Sequence, residues 1–434
     1  MSTDRIALYG DLLDFTAPPA WGETDSSAVR HRPAHWILIE HGRIAAVQRE
    51  APDAAWPRAE HRGRWILPGF VDSHVHSAQI DVIGAWGTQL LDWLQTYTFP
   101  AEARFADAAH AAQGSARFLD ALLAVGTTSA VVFPTVHKAS VDALFDAGTQ
   151  RGMRLIAGKV LMDRHAPDNL RDDVEQAERD CLELIQRWHG RGRCAYALTP
   201  RFAPTSSDAQ LAMAGRLQQA APGLYMQTHV AENRDEVAWV ADLFPDARSY
   251  LDVYHRHGLL GPRSVLAHGI WLDDADRALL RDSGAQVAFC PSSNLFLGSG
   301  LFAWRDSAAQ GVNVSLASDV GGGTSLSQRR TMGDAYKVQA LRGERATAWA
   351  LLHAATRGAA QALGLGHEIG TLEVGATADL CVWDRATRPT AQRRQAVAQD
   401  LHDQFFAWIT LADESDLVET FVAGTSRYRR TAPD

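Results

Sequence analysis

The chain has 434 residues, 46% hydrophobic and 21% charged, with a formal net charge of −9 at pH 7. Such a composition is ordinary for a globular protein and the length suffices for a large buried core. The acidic balance argues against a general binder of nucleic acid or of anionic membranes and leaves a small-molecule site as the default. Along the chain, residues 5–10 and 36–40 are predicted strands, and His41-Gly42-Arg43 turns into a third at 44–47, a hairpin pattern. Residues 65–71 read as a short buried strand. From Pro68 to about Leu363 short apolar runs (129–133, 155–160, 196–199, 225–228, 265–267, 286–289 and 312–316) alternate with helical candidates such as 106–125, 174–189 and 208–220. Strand–helix repetition on this scale implies a parallel sheet with helical crossovers, and the count suits an α/β fold of the (β/α)8, TIM-like barrel type.

After Leu363 strand character returns at 370–373, 375–376, 379–384 and 417–423, with Gly424 turning the last run. The two ends therefore resemble each other more than the middle. The expected division is one small β-sandwich domain made from residues 1–66 and 371–434, around a barrel of residues 67–370. Residues 385–403, rich in Arg, Gln and Ala, are expected to be a linker and surface helix. The four cysteines are scattered and form no Cys-x-x-Cys, which is poor material for a disulfide framework and fits a reducing compartment. Residues 1–5 carry no basic stretch leading into an apolar run, and the most apolar segment, 121–136, is interrupted by Gly126-Thr127-Thr128-Ser129. Neither a secretory leader nor a membrane span is expected, and the cytoplasm is the simple location.

Chemistry concentrates where barrel strands end, the place at which catalytic groups of such barrels sit. His74 and His76 follow the first barrel strand, two residues apart and so on one face. His229 ends Tyr225-Met226-Gln227-Thr228-His229, His268 ends Val265-Leu266-Ala267-His268, and Asp319 follows Val314-Ser315-Leu316-Ala317-Ser318. Singly, His229 or His268 suits a hydrogen-bonded strand-end histidine, and Asp319 before three glycines suits a turn. Together, three or four imidazoles and one carboxylate match a catalytic zinc site with a position left for water. Glu232, three residues past His229, either favours a helix start through the helix dipole or lies over the cleft and shuttles protons.

These segments resemble the amidohydrolase superfamily and, more narrowly, the guanine deaminase family. The resemblance runs through Pro68-Gly69-Phe70-Val71-Asp72-Ser73-His74-Val75-His76-Ser77-Ala78-Gln79, Leu90-Leu91-Asp92-Trp93-Leu94-Gln95-Thr96-Tyr97-Thr98-Phe99-Pro100-Ala101-Glu102 and Thr199-Pro200-Arg201-Phe202-Ala203-Pro204. It continues through Gln227-Thr228-His229-Val230-Ala231-Glu232-Asn233-Arg234-Asp235-Glu236, Ala267-His268-Gly269, Cys290-Pro291-Ser292-Ser293-Asn294-Leu295 and Ser318-Asp319-Val320-Gly321-Gly322-Gly323. The histidines and Asp319 belong to the whole superfamily, whereas the stretch from Trp93 to Pro100 and Arg201-Phe202 belong to the narrower family. Val320-Gly321-Gly322-Gly323 departs from the family pattern by its lack of bulk, which implies a different pocket floor.

The resemblance implies that His74, His76, His229 and Asp319 bind one Zn2+ per subunit, and that His268 orients the attacking water. It implies that Glu232 relays a proton to the purine ring, with His268 and Asp319 as its catalytic partners. Gln79, Arg201 and Phe202 would read the base beside His229 and Glu232, with Trp93, Tyr97 and Phe99 as further aromatic faces. The implied reaction is hydrolysis of guanine to xanthine and ammonia, metal-bound hydroxide attacking C2, in a homodimer. Arg201 offers a planar donor fork to the purine carbonyl, and facing the amine of adenine it would reject that base by about 10⁴-fold. Zinc deaminases with His-x-Glu and Pro-Cys-x-x-Cys are excluded, because here the order is Cys290-Pro291. A pterin, triazine or other purine as substrate of a related deaminase or chlorohydrolase is the neighbouring reading. A non-catalytic assembly protein is the reading from another class, and the intact ligand set opposes it.

Overall fold

A computed structural model describes residues 5–86, 90–221 and 223–431. Residues 1–4, on which the leader expectation rests, lie outside the described residues. Four strands open the chain: β1 (Arg5–Phe15), β2 (Val29–Glu40), β3 (Arg43–Gln48) and β4 (Arg58–Pro68). Nine follow in the middle: β5 (Phe70–His76), β6 (Thr127–Phe133), β7 (Arg154–Ala157), the two-residue β8 (Val160–Leu161), β9 (Cys194–Pro200), β10 (Tyr225–Val230), β11 (Ser264–His268), β12 (Gln286–Phe289) and β13 (Asn313–Leu316). Three close the chain: β14 (Leu380–Trp383), β15 (Leu417–Val422) and β16 (Thr425–Arg429).

β5, β6, β7, β9, β10, β11, β12 and β13 pair in that order, all parallel, with helices such as Ala108–Leu123, Val174–Trp188 and Asp208–Ala220 in the crossovers. The barrel is drawn shut where the segment after β13 meets β5: Asp319 N–H donates to His74 O and His76 N–H to Val320 O, both at 2.9 Å. Its interior is filled by Val71, Val131, Ile156, Tyr225 and Val265 among alanines 197, 267, 288 and 317. Those small residues make room for Tyr225, whose buried hydroxyl donates to Leu363 O at 2.7 Å.

β16, β15, β14, β4, β1, β2 and β3 form one seven-stranded mixed sheet from the two ends of the chain. The expected sandwich is this single sheet curled on itself. Leu8, Ile37, Ile39, Ile66, Leu380, Val382 and Phe421 share one core, and the β2–β3 turn reaches the β15–β16 turn through Ala378, which donates to Gly42 O and accepts from Gly424 N–H, each at 2.9 Å. No helix among the described residues is long and apolar enough to cross a membrane.

Three details differ from the sequence reading. Residues 65–71 are not one strand: β4 ends at Pro68 inside the terminal sheet and β5 starts at Phe70 inside the barrel. Gly69 makes the passage, donating to Asp379 O at 2.9 Å so close to β6 that a Cβ would stand 2.2 Å from Thr128 Oγ1. The run 155–160 splits into β7 and β8 at Gly158, where a Cβ would meet Ala197 O at 1.8 Å. The surface helix expected within 385–403 is two helices, Pro389–Ala396 and Leu401–Thr410, and the second is an anchor. Its Phe405 stacks on Trp65 at 4.1 Å, and its Trp408 meets Trp65 and Trp383 edge-on at 5.7 and 5.2 Å.

The Gly69 passage makes a stability prediction. Gly69→Ala should destabilise the protein by about 1–3 kcal/mol through overpacking, read as a fall in melting temperature. Thr128→Ala in the same chain should restore part of the loss, because the two positions are in contact.

Candidate active site

His74 and His76 leave β5 on one face, His229 comes from β10, and Asp319 follows β13. All four converge at the carboxyl end of the barrel. Asp319 Oδ1 lies 3.1 Å from His74 Nε2 and 3.3 Å from His76 Nε2. His76 Nε2 is 3.2 Å from the Nε2 atoms of both His74 and His229. One ligand atom from each residue falls within 4.8 Å of all the others. Burial lowers the histidines' proton affinity: His76 is pushed down to about 3, His74 is lowered, and His229 falls well below its ordinary value with the neighbouring imidazoles adding to the effect. Burial opposes ionisation of Asp319, yet the neighbouring His74 and His76 hold its carboxyl well below the usual range.

Neutral imidazoles with lone pairs crowded at 3.2 Å repel one another, and a shared cation relieves them. The donor set of three nitrogens and one carboxylate oxygen fits Zn2+ in a catalytic rather than a sealed site. The ring orientation is also set for it. His229 Nδ1–H donates to Arg201 O at 2.7 Å, which leaves Nε2 as the ligand atom. Behind the cluster the wholly buried Asp72 carboxylate accepts from Ser318 N–H at 3.0 Å, from the Ser318 hydroxyl and from His74 N–H at 3.3 Å. It thereby clamps the backbone of one ligand to the residue before another. His268 and Asp319 both have left-handed backbone, φ +73° and +49°, a conformation non-glycine residues hold only when their surroundings enforce it.

His268 and Glu232 stand beside the cluster. His268 Nδ1 pairs with Asn294 Oδ1 at 2.9 Å, which assigns the proton to Nδ1 and leaves Nε2 open towards Glu232 Oε2 at 3.4 Å and Asp319 Oδ2 at 3.7 Å. Burial, with the Asp319 charge adding to it, pushes the Glu232 carboxyl up to about 8. Ser299 Oγ donates to Glu232 Oε1 at 2.9 Å. Glu236, the capping residue of helix Arg234–Leu243, accepts from the backbone N–H of Glu232 and of Asn233 at 3.0 and 3.1 Å, and from the Tyr250 hydroxyl at 2.7 Å.

A cavity opens onto these groups, walled by Gln79, Trp93, Leu94, Arg201, Phe202 and Leu297. Gln79, Trp93, Arg201, Phe202, His229, Glu232, His268 and Asp319 thus all border one space, while His74 sits behind it. Tyr97 and Phe99 do not line the cavity; Phe99 lies under the Arg201 guanidinium, 5.4 Å from its ring centre. Gly322 forms part of the floor, where a Cβ would come within 2.7 Å of Ser293 Oγ and 3.6 Å of Asp319 Oδ2. The missing bulk there leaves room for the Ser293 hydroxyl.

Sequence reasoning gave no role to Glu102, Glu236, Asn294 or Ser299. Glu102 ends a segment that the resemblance covers, and Asn294 lies in another. Glu236 was legible as the partner of Asn233 in an Asn-x-x-Glu capping box. Nothing local marks Ser299, which reaches Glu232 across 67 residues.

An amidohydrolase family model matches residues 65–426. Guanine deaminase of Escherichia coli (strain K12) is 43% identical over 430 residues, 98% of either chain. The solved structure of E. coli guanine deaminase superposes with a TM-score of 0.94 at 41% identity, covering 98% of this chain and 99% of that one. A guanine deaminase from C. acetobutylicum with bound guanine in the active site matches with a TM-score of 0.88 at 27% identity, over 97% of this chain and 99% of that one.

The clamp behind the cluster makes a prediction of its own. Asp72→Asn turns an amide donor towards two donors on Ser318, and metal affinity should fall by about 10–100-fold, measured by competition with a chelator. Unchanged affinity in a folded variant would remove Asp72 from the support of the site.

Proposed function

The chain belongs to the amidohydrolase family, and on that footing we propose that it hydrolyses guanine to xanthine and ammonia with one Zn2+ held by His74, His76, His229 and Asp319. The observation that carries the reading is a single cavity lined by His76, His229 and Asp319 of that cluster, by Glu232, and by the Arg201 and Gln79 donors. Phe202 and Trp93 on the same lining offer aromatic faces to a flat base.

A Zn2+ in this donor set supplies a Lewis acid that lowers the pKa of a water from 15.7 to about 7. The residues around it do the rest. Arg201 donates to O6 and fixes which edge of the base faces inward. Glu232, holding its proton near neutrality, gives it to ring N3 and makes C2 electrophilic. His268 Nε2 and Asp319 Oδ2 take the proton that the attacking water loses. Oxygen adds to C2, the collected proton passes to the 2-amino group, the C–N bond breaks and ammonia leaves, and the proton still on the added oxygen returns to Glu232. Water and guanine are consumed, and xanthine and ammonia account for every atom. Four buried, unpaired cysteines fit the cytoplasmic residence that belongs to this reading, and the homodimer comes with the family resemblance.

The direct test is product formation from guanine, adenine, cytosine and pterin in parallel. Turnover of guanine alone is the expected result, and ammonia from another base with none from guanine would overturn the substrate. Arg201→Gln should lower kcat/KM for guanine by about 10²-fold or more, and because it leaves the buried Glu102 without its countercharge it should also lower the melting temperature.

Glu232→Gln should lower kcat by about 10²–10⁴-fold and also leave a thermodynamic trace. In the metal-free protein Glu232 keeps its proton to about 8, against an ordinary 4.5. Between those values unfolding releases a proton, so rising pH destabilises the fold until the cost is complete above the upper value. The metal-free Gln variant should therefore melt above its parent by a margin that grows from about pH 4.5 to 8 and then levels. A margin flat in pH would contradict that origin.

A further inference from the structure

Gln79 and Arg201 are both bound to one carboxylate. Glu102 is wholly buried. It accepts from Arg201 Nη1 with both oxygens at 2.8 Å, and its Oε1 also accepts from Gln79 Nε2 at 2.9 Å. On its other side Gln79 Oε1 accepts from Gly321 N–H at 3.1 Å. A carboxylate only accepts and a backbone N–H only donates, so the Gln79 amide has one permitted orientation. Its oxygen is committed to Gly321, one amide hydrogen is committed to Glu102, and the second amide hydrogen is left over. Arg201 is similarly divided. Nη1 is engaged by Glu102, the guanidinium rests on the Phe99 ring, and its Nε and Nη2 make no hydrogen bond to the described residues. Both side chains line the cavity, and what they have left to offer it is N–H alone.

We infer that Glu102 is the positioning residue for base selection: by holding Gln79 and Arg201 as donors only, it restricts this wall of the cavity to a substrate edge made of acceptors. This rests on the reading of guanine as substrate and deepens it. The O6 and N7 edge of guanine is acceptor beside acceptor. A 6-aminopurine puts a donor where O6 would be, and buried donors facing a donor stay unpaired. The oxygen of an unrestrained glutamine could rotate in and accept from that amine. Glu102 and the Gly321 N–H together forbid the rotation: the carboxylate has no proton to offer the amide oxygen, and the N–H has no acceptor to offer the amide nitrogen. The neutralising charge is a second consequence: Arg201 enters the wall paired, so the wall recognises a neutral base without an exposed net charge.

The test uses ligands that bind but lack the 2-amino leaving group. Hypoxanthine and adenine differ at position 6 and in the proton on N1, and their dissociation constants for zinc-loaded protein can be read by calorimetry. The parent should favour hypoxanthine by about 100-fold. Glu102→Gln removes one of the two restraints on the Gln79 amide and leaves the Gly321 contact to hold it alone, and the preference should shrink to less than about tenfold while zinc content stays unchanged. Glu102→Asp keeps the charge but shortens the reach, and should fall between the two; it serves if the Gln variant does not fold. An unaltered preference in either folded variant would overturn the inference, as would equal weakening of both ligands. A parent that binds neither purine would instead overturn the reading of the substrate.

Discussion

Three neutral imidazoles and one carboxylate are forced together at the open end of the barrel, and much of the rest of the structure exists to hold them there. Without a cation the arrangement is unfavourable: Nε2 atoms stand at 3.2 Å with lone pairs opposed, and the Asp319 backbone is left-handed. The barrel supports it by making its closure and its ligand geometry the same set of bonds. Asp319 donates to the carbonyl of His74, and Asp72 grips Ser318 and His74 together. A barrel that opened between β5 and the segment after β13 would lose its ligands in the same movement.

The cavity extends this logic from metal to substrate. Buried carboxylates recur around it, each with a different use set by its neighbours. Asp319 is held below the usual carboxylate range by the histidines beside it. Glu232 is pushed towards its acid form because burial and the Asp319 charge oppose ionisation. Glu236 accepts two backbone N–H groups and a tyrosine hydroxyl, and so holds the loop that carries Glu232. Glu102 pairs with Arg201 and fixes what the reading wall presents. Identical chemistry thus serves as ligand, acid, brace and selector.

Much of this was legible in the sequence because barrel geometry puts chemistry at strand ends. His74, His76, His229, His268 and Asp319 all follow apolar runs, so their convergence could be expected from alternation and parallel order. Other features depend on distances that sequence order hides. Ser299 reaches Glu232 through a loop without periodicity, and Glu102 meets Arg201 across 99 residues. The continuous apolar run through Pro68 concealed the passage between sheets, since hydrophobicity does not say which sheet a buried strand joins. Residues 385–403 read as linker and surface helix because Arg, Gln and Ala dominate them, and Phe405 and Trp408, which anchor the helix Leu401–Thr410, lie just beyond that stretch.

The most direct test of the account is a zinc titration of chelator-stripped protein, with xanthine and ammonia measured from guanine at each step. The account predicts no turnover at zero metal, a linear rise, and a break at one Zn2+ per chain, with the two products formed in equal amounts. Turnover that survives stripping, or a break at two equivalents, would contradict the single four-ligand centre on which the reading rests.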